Sequence, residues 1–204
     1  PTRRSSDLIS ETHLTSRGVH KFRRGLQCLQ SHFKYSVAGA PCTGPAERDV
    51  GDYSGVMLLS SEPARALPHQ MQPTLVETAR IQVAGVLLGD AWVQLGMMYG
   101  YPVGASHAAP KYNTDLLLEQ LVDRIACQTV GPRAIGGDFN FDSHELTQLR
   151  RLHDMGFREV QDLACHMGQH EVQATGKGRR RIDHLWISPE RQMCFKQVEV
   201  RRDL

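Results

Sequence analysis

The sequence predicts an α/β fold, a mixed-sheet α/β sandwich, from three patterns. Val19, Phe22, Leu26, Leu29 and Phe33 recur at three- and four-residue steps, which is one face of a helix, and Thr15 or Ser16 stands where a cap belongs. Two β-rich runs, "ARIQVAGVLL" and "AWVQLGMMYGY", are separated by "GD", a hairpin signal. Helix-like and strand-like segments then alternate to Leu204, as they do where helices cover a sheet.

The first residues stand apart. "PTRRSSDL" back-translates to CCT ACA CGA CGC TCT TCC GAT CT, a widely used sequencing-library adapter, and the chain does not open on Met. Pro1 to Leu8 are therefore read as adapter-derived and set aside from the fold, leaving residues 9–204 as one domain. "PCTGPAERDVGD" (Pro41 to Asp52) is a loop by its Pro, Gly and Asp content. "SGVMLLS" (Ser54 to Ser60) reads as a buried strand. "NTDLLLEQLVDRIACQ" is a capped helix with Leu117, Leu118, Leu121, Val122 and Ile125 inward. "RAIGGDF" is a short strand, and "SHELTQLRRLHDMGF" a helix closed by Gly156. "RIDHLWIS" and "KQVEVR" are late strands.

Composition narrows the function classes. The 204 residues are 40% hydrophobic and 23% charged, which suits a globular chain with a sizeable core. A net charge of +2 is too mild to demand a nucleic-acid partner, so any such partner must be met by local patches. The 5 cysteines are odd in number and contain no C-x-x-C pair, the pattern of free thiols in a reducing, intracellular compartment, nuclear or cytoplasmic. No apolar run approaches the roughly 18 residues that span a bilayer.

The chemistry concentrates in "RAIGGDFNFDSHEL" (Arg133 to Leu146). Gly136 and Gly137 let a strand end turn without side-chain bulk. If the extended conformation continues, Asp138 and Asn140 point the same way, because strand side chains repeat every two residues. A carboxylate beside a neutral amide suits a phosphate: the Asp takes a proton from water and the amide donates to a phosphate oxygen. Asp and Asn after Gly are equally common turn residues. Glu11 in "ISETHL" closes another strand-like segment and is a hard oxygen ligand suited to Mg²⁺. "MMYGYP" puts Tyr99 and Tyr101 at a strand end, and "RRRIDHLWIS" puts Asp183 at a strand head.

"ETHL", "SGVMLLS", "YGYP", "GGDFN" and "RRRIDHLWIS" occur in the order found in the endonuclease/exonuclease/phosphatase superfamily. Within it the chain most resembles the apurinic-endonuclease-like domains of non-LTR retrotransposon polyproteins, over Ile9 to the C-terminus. The resemblance implies a four-layer, deoxyribonuclease-like sandwich and a Mg²⁺-dependent DNA endonuclease, with Mn²⁺ as the alternative ion. Its partner would be the DNA phosphate backbone, its setting a polyprotein fused to a reverse transcriptase. Carried over by motif, Glu11 is the metal ligand, Asp138 and Asn140 handle water and phosphate, and Asp183 orients a catalytic histidine. The family Tyr lies two residues before Pro, where this chain has Gly100; Tyr99 and Tyr101 compete for its role, with Tyr99 preferred. The resemblance also expects an Asn-bearing strand before Glu11 and a Ser-Asp-His segment after the last strand. The chain is thus read as truncated at both ends, with little activity expected of it. His184 neighbours Asp183 on a strand and should face the other way, so it is not that histidine.

Several features compete for a share in the site. In "GKGRRR", Arg179, Arg180 and Arg181 are candidate phosphate contacts, beside Tyr101, or else a solvated loop. Arg17, Lys21, Arg23 and Arg24 read as a solvated helix face, and "CHMGQH" as a loop more than a metal site. Trp92 and Trp186 read as core, and His107 as a surface histidine. Rival activities within the superfamily are inositol-lipid phosphatases, sphingomyelinases and deadenylases. "RRRIDHLW" lacks the Trp-Cys-Asp-Arg signature of the first. A non-catalytic retroelement remnant is the reading from a different class.

Overall fold

The computed structural model describes residues 6–10, 12–28, 33–39, 55–67, 78–103, 107–127, 131–168 and 181–192. The chain forms two compact units, Pro1–Tyr99 and Gly100–Leu204. Glu11, Leu29, Pro41 to Asp52, Arg179, Arg180, His170 and "KQVEVR", all read from the sequence above, lie outside the described residues.

In the first unit, strand β1 (Ser6–Ser10) precedes helix α1 (Ser16–Cys28), followed by β2 (Tyr35–Ala38) and β3 (Val56–Ser60). Both β1 and β2 pair antiparallel with β3, which is buried along its whole length. Ser6, Asp7 and Leu8, set aside on sequence grounds, pair with Ser60, Leu59 and Leu58. Ladder hydrogen bonds come from the backbone, so an extended segment pairs whatever the origin of its side chains. Thr15 Oγ1 accepts from the Gly18 amide at 3.3 Å, the cap expected for α1. Arg17, Lys21, Arg23 and Arg24 lie on the exposed face of that helix.

A second antiparallel set holds β4 (Ala64–Ala66), β5 (Ile81–Leu88) and β6 (Ala91–Tyr99). The β5–β6 hairpin turns at Gly89-Asp90 with Gly89 at φ +70°, the conformation only glycine adopts cheaply. Val37, Val56, Leu58, Ala84, Val86, Met97 and Tyr99 form one core cluster. Trp92, expected in the core, is 39% exposed near the hairpin tip, with the Arg65 guanidinium 4.4 Å over its ring. Strand alternation alone could not tell which face of a hairpin is covered.

The second unit contains helix α2 (Ala108–Leu121), continued by a π-helical turn (Val122–Cys127). The helix starts at Ala108, five residues before the Asn113 that resembles a cap. Pro110 falls in its first turn, where amides lack intrahelical partners in any case. Leu117, Leu118, Leu121, Val122 and Ile125 are buried as expected. Next come β7 (Arg133–Asp138), a 3₁₀ turn (Ser143–Glu145), helix α3 (Thr147–Asp154), β8 (Arg158–Glu159), helix α4 (Val160–His166), β9 (Asp183–Ile187) and helix α5 (Pro189–Gln192). Gly156 ends α3 at φ +86°. Strand β9 pairs antiparallel with β7 on one side and β8 on the other. Trp186 on β9 is buried, as expected.

Where β7 begins, the Arg133 amide donates to Ser188 Oγ at 3.0 Å and its guanidinium meets Glu190 at 2.7 Å. Burial pushes the Glu190 carboxyl up, but hydrogen bonds from Ser188 and its own amide, with the Arg133 charge, hold it below the usual carboxylate range. The described residues include no helix long and apolar enough to cross a membrane.

Candidate active site

The site grows from the β7–β9 pair. Asp138 stands directly opposite Asp183 in the register, as the last residue of one strand and the first of the other. Residues opposite one another in an antiparallel pair share a face, with Cβ atoms typically about 4.5–5.5 Å apart. Burial along β9 alternates: Asp183 and Leu185 are exposed, His184 and Trp186 buried. Two carboxylates side by side on an open face repel one another unless something positive joins them.

The two glycines before Asp138 have separate causes. A Cβ on Gly136 would lie 2.9 Å from both the His184 carbonyl oxygen and Leu185 Cδ1, so the partner strand excludes a side chain there. Gly137 sits at φ +140°, a backbone conformation that other residues rarely adopt. Past Asp138 the extended conformation stops. Asn140 lies at φ +60°, and its amide donates to Asp138 Oδ1 at 2.9 Å, an Asx turn. The two side chains are therefore related by a turn, not by the strand alternation expected. Asparagine tolerates this left-handed position better than most residues, and the turn makes its amide a hydrogen-bond donor to the carboxylate. Asn140 Nδ2 donates to the Gly100 carbonyl at 3.2 Å; a primary amide has a second N–H besides.

Gly100 stands out in the sequence only as a departure from the family pattern. Its amide donates to the Asp138 carbonyl at 2.7 Å, and a Cβ there would sit 2.7 Å from the Phe139 carbonyl carbon. Glycine in the middle of "YGYP" allows two backbones to touch, which accounts for the departure from the family pattern. Its signal was the departure itself.

The tyrosines on either side of Gly100 differ. Tyr99 is 3% exposed, belongs to the core cluster of the first unit, and lies under the Arg80 guanidinium at 4.8 Å. Tyr101 is half-buried, its amide donating to Thr114 Oγ1 at 2.9 Å. The preferred Tyr99 is thus the more buried of the two, and Tyr101 keeps more solvent access.

Arg181, expected to meet phosphate, is committed within the protein. Its guanidinium donates to Gln161 Oε1 at 2.6 Å and to Glu159 Oε2, and its amide to Asp142 Oδ1 at 2.9 Å. Each terminal nitrogen of the fork thus serves an acceptor within the protein, using two of its five N–H donors. His184 is buried between Glu159 Oε1 (2.8 Å from Nδ1) and the Phe141 carbonyl (2.9 Å from Nε2), on the face opposite Asp183. His107 is half-exposed; it pairs with Glu145 at 3.0 Å and meets the Phe141 ring edge-on at 5.2 Å. Glu145 also accepts from the Asp142 amide, closing a capping box. Glu159 and Gln161 left no motif in the sequence. They are identified only by what surrounds them.

Carboxylate oxygens are the donors a hard divalent cation takes. The described residues bring Asp138 and Asp183 together, but hold no group of three or more metal-ligating side chains. The donor chemistry fits such an ion, and further ligands would have to come from outside them.

Among solved structures, the chain is similar in fold to the 3′ phosphatase NExo from Neisseria bound to a product DNA hairpin (17% identity, 92% of this chain and 77% of that one, TM-score 0.63). It is also similar to an AP endonuclease from Archaeoglobus fulgidus (14% identity, 92% and 77%, TM-score 0.64) and to one from Leishmania major (13% identity, 92% and 71%, TM-score 0.58). At such identities the likeness concerns the fold, the α/β class expected from the sequence. No curated protein matches the sequence. The family assignment comes from the family model: residues 8–198 match the endonuclease/exonuclease/phosphatase family, and the chain belongs to it.

Proposed function

We propose that the chain carries the catalytic face of a Mg²⁺-dependent phosphodiester hydrolase, a DNA endonuclease of the retroelement type. The observation that supports it best is Asp138 opposite Asp183, with the Asn140 amide donating to the Asp138 carboxylate. That hydrogen bond orients Asp138 so that one oxygen can take a proton from an attacking water. The Asn140 side-chain amide and Tyr101 serve phosphate oxygens, and Asp183 has the place of the family Asp that orients a histidine. Arg179 and Arg180 remain phosphate contacts in this reading; Arg181 does not. A bound divalent ion supplies positive charge to the phosphate, and Glu11 is the ligand that the motif match implies. DNA is the substrate in this reading, which is supported by similar folds named for AP endonuclease activity or bound to a DNA hairpin. Fusion to a reverse transcriptase belongs to the same reading.

The test is nicking of supercoiled plasmid in Mg²⁺. The reading expects weak nicking by the chain, abolished by EDTA and steeply lowered by Asp138→Ala. Nicking undiminished in Asp138→Ala, or none from a folded protein on plasmid or abasic DNA, would end it.

A further inference from the structure

Three ties join the segment leaving β7 to the segment entering β9. The Phe139 amide donates to the Ile182 carbonyl at 2.7 Å, and the Arg181 amide to Asp142 Oδ1 at 2.9 Å. The third runs through a fully buried side chain, from His184 Nε2 to the Phe141 carbonyl at 2.9 Å. A carbonyl oxygen only accepts, so Nε2 carries the hydrogen and donates. On the other side of the ring, Nδ1 meets Glu159 Oε1, and Glu159 Oε2 receives the Arg181 guanidinium.

This chain of groups is a poor choice for stability alone. Burying an ion pair costs desolvation, and apolar residues of similar volume often do as well or better. What it provides is direction. Glu159, 1% exposed and held by Arg181, restricts the imidazole to one orientation and aims Nε2 at one oxygen. That oxygen belongs to Phe141, the residue after Asn140, whose left-handed backbone needs support from its surroundings.

We propose that His184 is a positioning residue: from the face opposite the carboxylates, it holds the Phe141 carbonyl. In doing so it keeps the Asp138–Asn140 turn in the form that aims the Asp138 carboxylate. The catalytic half of this inference rests on Asp138 acting as proposed above; the structural half does not.

Amide hydrogen exchange on the full chain reads the structural half. In His184→Phe, which keeps a ring and loses both nitrogens, Asn140 exchange should rise about tenfold relative to Leu118 and Leu152 in the same protein. His184→Gln, whose side-chain amide can reach the same carbonyl, should restore protection to within roughly threefold of wild type. Should His184→Phe not fold, Arg181→Gln takes its place: freeing Glu159 should speed Asn140 exchange by roughly threefold. Unchanged Asn140 protection in a folded variant, or an equal rise at all three amides, overturns the proposal. Plasmid nicking by the same proteins reads the catalytic half: kcat should fall in His184→Phe with KM held. A released turn with undiminished kcat overturns it. A wild-type chain that never nicks sinks the hydrolase reading instead, and exchange alone then decides whether His184 holds the turn.

Discussion

Asp138 and Glu159 are carboxylates on the two strands that flank β9, on opposite faces of the same sheet. Asp138 looks onto the open face, across from Asp183, another acid. Glu159 lies under the sheet, 1% exposed, between Arg181 and His184. One carboxylate stands at the open end of a strand, opposite a second acid; the other is buried between a guanidinium and an imidazole. The period of two along β9 separates these tasks, because Asp183 and His184 are neighbours in sequence and cannot share a face.

Truncating each acid should break the comparison in opposite ways. The largest effect falls on activity: Asp138→Ala should lower the nicking rate by about 10²–10⁴-fold. Its urea-unfolding free energy should move by less than that of Glu159→Ala, since Asp138 is only half-buried and Glu159 is 1% exposed. A large loss of stability there would mean that the open face is structural. Glu159→Ala should do the reverse, costing about 3–5 kcal/mol of stability by leaving Arg181 and His184 without their acid. A variant of wild-type stability would show that the buried pair carries no weight.

Gly100→Ala tests where the two backbones meet. The added Cβ overlaps the Phe139 carbonyl, and moving it aside should cost about 1–3 kcal/mol. Asn140 exchange should quicken with it, because Gly100 also accepts from Asn140 Nδ2. An unperturbed Asn140 amide would place the clash elsewhere.

The smallest effect calibrates the others. Glu190 pairs with Arg133 at the opposite end of β7 from Asp138, with 43% of its side chain exposed, so Glu190→Gln should cost less than about 1 kcal/mol at neutral pH. Its carboxyl is held below the ordinary range in the folded chain, so its contribution is present above the unfolded value. That contribution fades as pH falls through the depressed folded one. The gap between wild type and Glu190→Gln should therefore close on acidification. A gap that widens in acid would contradict the pairing.

The elements were legible where one period dominated. The β5–β6 hairpin is announced by "GD", α1 by its apolar steps and Thr15, and the inward face of α2 by its leucines. Short elements were not: β8 has two residues and α4 seven, too few for a period to repeat. In the site, Asp138 and Asp183 could be singled out because motifs carry residue types in order. That they stand opposite one another depends on register between strands 45 residues apart, which no local pattern encodes.

By itself the sequence determined the α/β class, the family motifs and the alternation that sends Asp183 and His184 to opposite faces. Those depend on residue type and short-range periodicity. Only the tertiary structure decided that Asn140 turns left-handed instead of extending the strand, and that Gly100 is required by a touching backbone. It also tied the Arg181 guanidinium to Gln161 and Glu159 and placed Tyr99 in a buried cluster. Each of these depends on a partner distant in sequence, and the hydrogen bonds and overlaps that decide them exist only once the chain has folded.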